Sequence, residues 1–153
     1  MNQLSTRLLR TDEAIPYELL LLADETKEIV DGYIHTCAIY VLEDCGKIIA
    51  QYALLPINDN TIEVKNIAVD TAFQGKGIGK QLLKNAIKNA RTRGYNKLII
   101  GTGDASFKQL YLYQKAGFDI VDIKRNFFIN HYSEPIFENG IQLKHMIMLQ
   151  KEL

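Results

Sequence analysis

The distribution of hydrophobic and polar positions changes character halfway along the chain. In the first half, Leu4 to Arg10 reads as a strand, and Pro16 suits the first turn of a helix, where its missing N–H costs nothing. That helix runs through Leu19, Leu20 and Ala23, and a second short one is expected over Lys27 to Tyr33. β-Branched and aromatic residues return from Thr36 to Glu43. Asp44-Cys45-Gly46 then reads as a turn, and Lys47 to Leu55 as the returning strand of a hairpin. Asn58-Asp59-Asn60 marks another turn before a strand over Ile62 to Val69.

The second half begins with a helical rhythm. Leu82, Leu83, Ala86, Ile87 and Ala90 fall on one stripe, with Lys84, Lys88 and Arg91 outside it. Gly94 suits the left-handed position just past that helix. Leu98 to Ile100 is a short buried strand. Ser106-Phe107-Lys108-Gln109 fits a capping box opening a helix that runs to about Ala116 and ends at Gly117. Phe118 to Ile123 and Ile141 to Leu149 alternate as strands and predict a closing hairpin. Antiparallel pairs mixed with β-α-β crossovers predict a mixed α/β (α+β) sheet domain. No repeat, linker or low-complexity tract divides it, so residues 1–153 read as one domain.

Composition narrows the function classes. Lys plus Arg equals Asp plus Glu at 18 each, so no broad electrostatic pull toward nucleic acid or membrane exists, and local clusters must carry any anion binding. Cys37 and Cys45 match neither a zinc site nor a disulfide framework and read as reduced thiols. His35, His131 and His145 are too dispersed for a metal site, and none is proposed. The start, MNQLSTRLLR, lacks the apolar run of a signal peptide, and Asp24 and Glu25 soon interrupt the apolar run at Leu19 to Leu22. A cytoplasmic protein is the expectation.

The most informative segment is Gln74-Gly75-Lys76-Gly77-Ile78-Gly79-Lys80, between a strand and the amphipathic helix. Glycines at alternate positions let several N–H groups point one way, with no Cβ to block a bulky anion. The helix adds its positive N-terminal end, and Lys76 and Lys80 add full charges. Chemically this is a pyrophosphate cradle. A Walker A loop would need glycine at Gln74 and a hydroxyl at Gln81, and a dinucleotide fingerprint would need glycine at Lys80. Both patterns fail, which disfavours a nucleotide-binding interaction domain.

With Asn66-Ile67-Ala68-Val69-Asp70 before it, this turn resembles the acyl-CoA-binding motif of the GNAT acetyltransferase superfamily. The family pattern Q/R-x-x-G-x-G/A is met by Gln74, Gly77 and Gly79, and Leu112-Tyr113-Gln114-Lys115-Ala116-Gly117-Phe118 resembles its later L-Y-x-K-x-G-F segment. The tail from Arg125 through Asn139-Gly140 to Met148 resembles a bacillar group of uncharacterised GNAT proteins and, less closely, the ribosomal-protein N-terminal-alanine acetyltransferases. The resemblance implies a central, mostly antiparallel, splayed sheet flanked by helices. It also implies acetyl-CoA as co-substrate, an amine acceptor, and a homodimer or higher homo-oligomer.

It further implies site residues. Ile67, Ala68 and Val69 would pair with the pantetheine arm, and Gln74, Gly75, Lys76, Gly77, Ile78, Gly79 and Lys80 would hold the pyrophosphate. Ser106 would line the cofactor where many members place asparagine. Tyr113 would be the general acid, and a backbone N–H of the first of the splayed strands would stabilise the oxyanion. Tyr111 is expected to pack. Glu63 is the candidate base, with a surface-facing side chain as the competing reading, since a one-residue slip in strand register inverts it. The alanine acetyltransferases place a base glutamate at the position of Gly101, which favours a small-molecule amine over a protein N-terminus. A CoA-binding regulatory module without catalysis is the reading from another class. Tyr17, Glu18, Asp24 and Glu25 are candidates for an acidic acceptor wall, and residues 130–140 for a cover over the cleft or a subunit contact.

Overall fold

The strand signals of the first half build one side of a sheet in the computed structural model, which describes residues 5–153. β1 (Thr6–Leu8) pairs with β2 (Ala38–Asp44), and the Leu4 end of the expected strand lies outside the described residues. β2 returns as β3 (Lys47–Pro56) through Cys45 and Gly46, both at positive φ (51° and 79°). Such a two-residue turn matches the twist of the strands it joins. Asn58 Oδ1 then accepts from the Asn60 and Thr61 amides, each at 2.9 Å, and turns the chain into β4 (Thr61–Val69).

The helical stripe of the second half becomes α3 (Ile78–Thr92), following α1 (Tyr17–Leu20) and α2 (Lys27–Asp31). Ile78, Leu82, Leu83, Ala86 and Ala90 are buried on the sheet, with Ile87 packing at its margin. Gly94, at φ 89°, ends α3: its N–H donates to Arg91 O at 3.0 Å while Tyr95 N–H donates to Ala90 O at 3.2 Å. These paired bonds satisfy carbonyls that a helix end otherwise orphans. β5 (Lys97–Gly103), α4 (Phe107–Lys115), β6 (Asp119–Lys124), α5 (Phe127–His131), β7 (Phe137–Glu138), β8 (Ile141–Gln142) and β9 (Met146–Glu152) complete the order.

The seven-stranded sheet runs β1-β2-β3-β4-β5-β9-β6, antiparallel except at β4–β5. It is the mixed, mostly antiparallel sheet flanked by helices that the motifs imply. α3 and α4 cover one face, against Tyr52, Leu54, Ile62, Val64, Leu98 and Ile100. Leu20, Val30 and Ile34 cover the other face, against Ile39, Val41 and Ala53.

Two irregularities position the site. Ala53 pairs with Asn66 but Leu54 pairs with Val64, so Lys65 is an extra residue, a bulge in β4. The parallel pairing of β4 with β5 spans only Thr61–Val64 against Lys97–Ile100. Beyond Val64 the strands part, β5 stays on β9 through Gly103, and the edge of β4 over residues 65–69 is left without a neighbouring strand. The sheet is splayed.

Three expectations are corrected. Ser106 stands at the N-cap of α4 but makes no side-chain cap bond; its ψ of 66° departs from the extended backbone that a capping serine usually takes. The strand expected over Ile141 to Leu149 is broken at Leu143–His145. There Leu143 N–H donates to Ile136 O and His145 O accepts from the Asp104 amide, so neither can serve a continuing ladder. Tyr111 does not pack: it is 67% exposed on the outer side of α4.

Candidate active site

The splay opens a cleft of about 860 Å³ that runs from the glycine-rich turn to the segment after β6. Each wall follows from local sequence. At one end Gly75 and Gly77 take φ 77° and 82°, and Gly77 is the N-cap of α3. An N-cap without a side chain leaves the amides of Ile78, Gly79 and Lys80 without intrahelical partners. A Cβ built on Gly75, Gly77 or Gly79 meets nothing within 4 Å, so these glycines keep open space above the helix end and fill no packing role. A phosphate fits such a cradle: orphan amides, a helix dipole, and Lys80 on the same wall.

Gln74 holds the turn itself, its Nε2 donating to Val69 O at 2.9 Å. Asp70 assists, accepting from the Ala72 amide at 2.9 Å. Of the residues expected at the cofactor, Ile67, Ala68, Val69, Gln74, Gly75, Gly77, Ile78, Gly79, Lys80 and Ser106 line the cleft. Lys76 does not line it; its ammonium lies 5.4 Å from the centroid of the Phe73 ring.

Tyr113 enters the cleft from α4, and the sequence around it explains its placement. Gly117, at φ 97°, lets its own N–H donate to Gln114 O and the Phe118 N–H to Tyr113 O, both at 3.0 Å. The Phe118 ring then packs 6.3 Å from the Tyr113 ring. The L-Y-Q-K-A-G-F segment is thus a helix terminator whose customary apolar contact clamps Tyr113. Tyr113 is 4% exposed, and its hydroxyl makes no hydrogen bond among the described residues. Burial, with Glu138 nearby, pushes its pKa above the ordinary phenol range, so the hydroxyl keeps its proton at neutral pH.

Glu63 enters from β4. Its register partner is Leu55, while Val64 pairs with Leu54 on the α3 side, which directs Glu63 to the α1–α2 side of the sheet. The bulge keeps Asn66 on that same side, where its Nδ2 donates to Leu20 O at 3.0 Å and Tyr33 Oη at 2.9 Å. Glu63 is 8% exposed, lines the cleft, and makes no hydrogen bond or ion pair among the described residues. The surface-facing alternative therefore does not hold.

Of the candidate acidic wall, Asp24 and Glu25 line the cleft. Tyr17 and Glu18 do not; the Tyr17 hydroxyl donates to Asp31 Oδ1 at 2.6 Å. Asp24 is held by two hydroxyls, Tyr33 to Oδ2 at 2.8 Å and Tyr132 to Oδ1 at 2.7 Å. Gly101 faces Met146 and Met148: an added Cβ would approach their sulfurs to 2.8 and 3.0 Å, so methionines occupy the space of the absent glutamate. Of residues 130–140, the candidate cover, His131, Tyr132, Ile136 and Glu138 line the cleft, whereas Tyr33, Phe127 and Phe128 carry no expectation at the site from sequence. The left-handed Asn126 that starts α5, and the Asn139-Gly140 turn (φ 53° and 75°) joining β7 to β8, were the available signals. Among the described residues no group of three His, Cys, Asp or Glu side chains could hold a metal, and no helix is long and apolar enough to cross a membrane.

Known proteins share this arrangement. The model of the acetyltransferase (GNAT) family matches residues 6–118. The uncharacterized N-acetyltransferase YvbK of Bacillus subtilis is 46% identical over 90% of this chain and 88% of its own. A GNAT family acetyltransferase from Elizabethkingia anophelis, solved with acetyl-CoA bound, is 48% identical over the whole of both chains, with a TM-score of 0.97. An IAA acetyltransferase from Bacillus cereus is 43% identical over 99% of this chain and all of its own, with a TM-score of 0.94. A glycine cradle free of side chains, a splayed sheet and these matches converge: the chain belongs to the GNAT acetyltransferase family, and its activity is acetyl-CoA-dependent N-acetyl transfer.

Proposed function

We propose that the chain acetylates the primary amine of a small molecule, with Glu63 as base and Tyr113 as acid. The observation that carries this reading is that a carboxylate from β4 and a phenol from α4, both on largely buried side chains, line one cleft without a hydrogen-bond partner among the described residues. Their polar ends are thus available to a substrate that enters the cleft.

The residues that would hold acetyl-CoA are those of the cradle, with the amides at 78–80 and Lys80 on the pyrophosphate and the free edge of β4 over Ile67–Val69 along the pantetheine arm. When bound, it supplies an activated acetyl thioester. Glu63 takes a proton from the incoming ammonium, directly or through water, and so frees the nitrogen lone pair for attack. A backbone N–H on the free edge of β4 stabilises the oxygen on which charge develops, an effect often worth about 3 kcal/mol. The Tyr113 hydroxyl, kept protonated by burial, provides the proton for the departing sulfur and regains one from the product nitrogen through solvent.

A protein N-terminus is the second reading, and the filling of the Gly101 position by Met146 and Met148 disfavours it. The test is thiol release from acetyl-CoA with a panel of small amines and a peptide beginning with alanine, for wild type and Glu63→Gln. Small-amine turnover that Glu63→Gln lowers about 10- to 100-fold near neutral pH, with the gap closing as pH nears the amine's own pKa, supports the proposal. Preference for the peptide, or a Glu63→Gln enzyme as fast as wild type, overturns it.

A further inference from the structure

The acceptor end of the cleft has one wall made of rings. Phe127, Phe128 and His131 of α5 line it, followed by Tyr132 at the helix end. Phe127 stacks 4.3 Å from His131 and meets Phe128 edge-on at 5.5 Å, and Phe128 stacks 5.6 Å from Tyr132. The four rings form one contiguous slab of two stacked pairs set edge-on to each other. Phe127, Phe128 and Tyr132 are only half-buried by the chain, so part of their apolar surface is left to whatever enters the cleft.

The slab is anchored at three points. The Asn126 amide donates to His145 Nδ1 at 2.9 Å, the Phe128 amide to Lys144 O at 3.0 Å, and the Tyr132 hydroxyl to Asp24 Oδ1 across the cleft. A fixed aromatic wall offers ring faces and edges for ligand contact at little entropic cost.

Four carboxylates line the cleft, and they differ in their surroundings. Both Asp24 oxygens accept tyrosine hydroxyls, Glu25 is exposed at the rim, and Glu138 is half-buried on the Tyr113 side. The Lys65 ammonium sits 5.4 Å from the Tyr33 ring centroid. Glu63 is the buried carboxylate that nothing pairs. A carboxyl group and an aromatic wall that line one cleft match a ligand with an amine and a flat apolar body.

We infer that the acceptor is an arylalkyl monoamine, its ring on the Phe127–Tyr132 slab and its amine at Glu63. This rests on the reading of the site as an amine acetyltransferase with Glu63 as base. A polyamine has no flat apolar body to set against the rings, and an aminoglycoside presents a mostly polar surface to them.

The experiment is thiol release by the full chain with 2-phenylethylamine, hexylamine, spermidine and kanamycin. The expected result is a kcat/KM for 2-phenylethylamine about tenfold or more above that for hexylamine, with spermidine and kanamycin lower still. Phe128→Leu should raise the KM for 2-phenylethylamine about five- to tenfold and narrow its kcat/KM advantage over hexylamine by a similar factor. Phe127→Leu is the second variant, and titration with acetyl-CoA reports that each variant retains its cofactor end. Equal or better turnover of hexylamine, spermidine or kanamycin overturns the aromatic class while leaving N-acetyl transfer to small amines standing. Acetyl-CoA binding with no amine turned over overturns that underlying reading as well.

Discussion

Tyr113→Phe removes one oxygen from the inner wall of the cleft and leaves the clamp around it untouched. The ring keeps its contact with Phe118, and the Tyr113 carbonyl still accepts from the Phe118 amide. The lost hydroxyl had no hydrogen-bond partner among the described residues, so the change orphans nothing, and stability should move by less than about 1 kcal/mol. Acetyl-CoA affinity should hold, since the cradle lies on another element. The chemical step should not: loss of a positioned acid removes about 10²–10⁴-fold, or roughly 3–5 kcal/mol of barrier lowering at about 1.4 kcal/mol per tenfold. The assay is single-turnover acetyl transfer, which isolates chemistry from product release, paired with calorimetric titration of acetyl-CoA. A single-turnover rate within about threefold of wild type, at unchanged affinity, would refute the role given to Tyr113 and reduce it to a core aromatic.

Gly77→Asp combines φ 82° with a carboxylate where an anion is held, and should weaken acetyl-CoA binding about 100-fold or more; nothing lies within 4 Å of its Cβ, so the chain should still fold, as circular dichroism would show. Gly101→Glu, which restores the glutamate of the alanine acetyltransferases, should cost about 1–3 kcal/mol in urea unfolding because its Cβ meets two methionine sulfurs, and should give no peptide acetylation. Burial raises the pKa of Tyr33, Tyr113 and Tyr132 above 10.0 in the native state. Their unfolded phenols ionise first, so stability is whole below about pH 10 and falls above it; a thermal midpoint that stays flat to pH 11 would contradict this. Glu13 is held at about 2, well below 4.5, by the Arg7 guanidinium, so its contribution is present above pH 4.5 and lost as pH falls toward about 2; Glu13→Gln should flatten that part of the acid-unfolding curve.

Sequence by itself determined what depends on neighbours along the chain. The stripe of α3 and the glycine terminators at Gly94 and Gly117 need only local periods and local backbone freedom, and the structure shows each where the residues put it. The cradle is legible for the same reason: it needs only Gly75 before the helix, Gly77 at its N-cap and Gly79 in its first turn. The capping box at Ser106 was misread because the same residues serve a different backbone angle, imposed where α4 follows the end of β5. The direction of Glu63 was undecided because side chains alternate, and the bulge at Lys65 that shifts the alternation is a property of the pairing with β3. The aromatic slab is legible only in its second half, where residues 130–140 read as a candidate cover. Phe127 and Phe128 meet the cleft because α5 is held by His145, Lys144 and the distant Asp24, contacts that carry no local signal. Tertiary structure alone decided which buried groups lack a partner, because a missing partner is a fact about every element that surrounds the group.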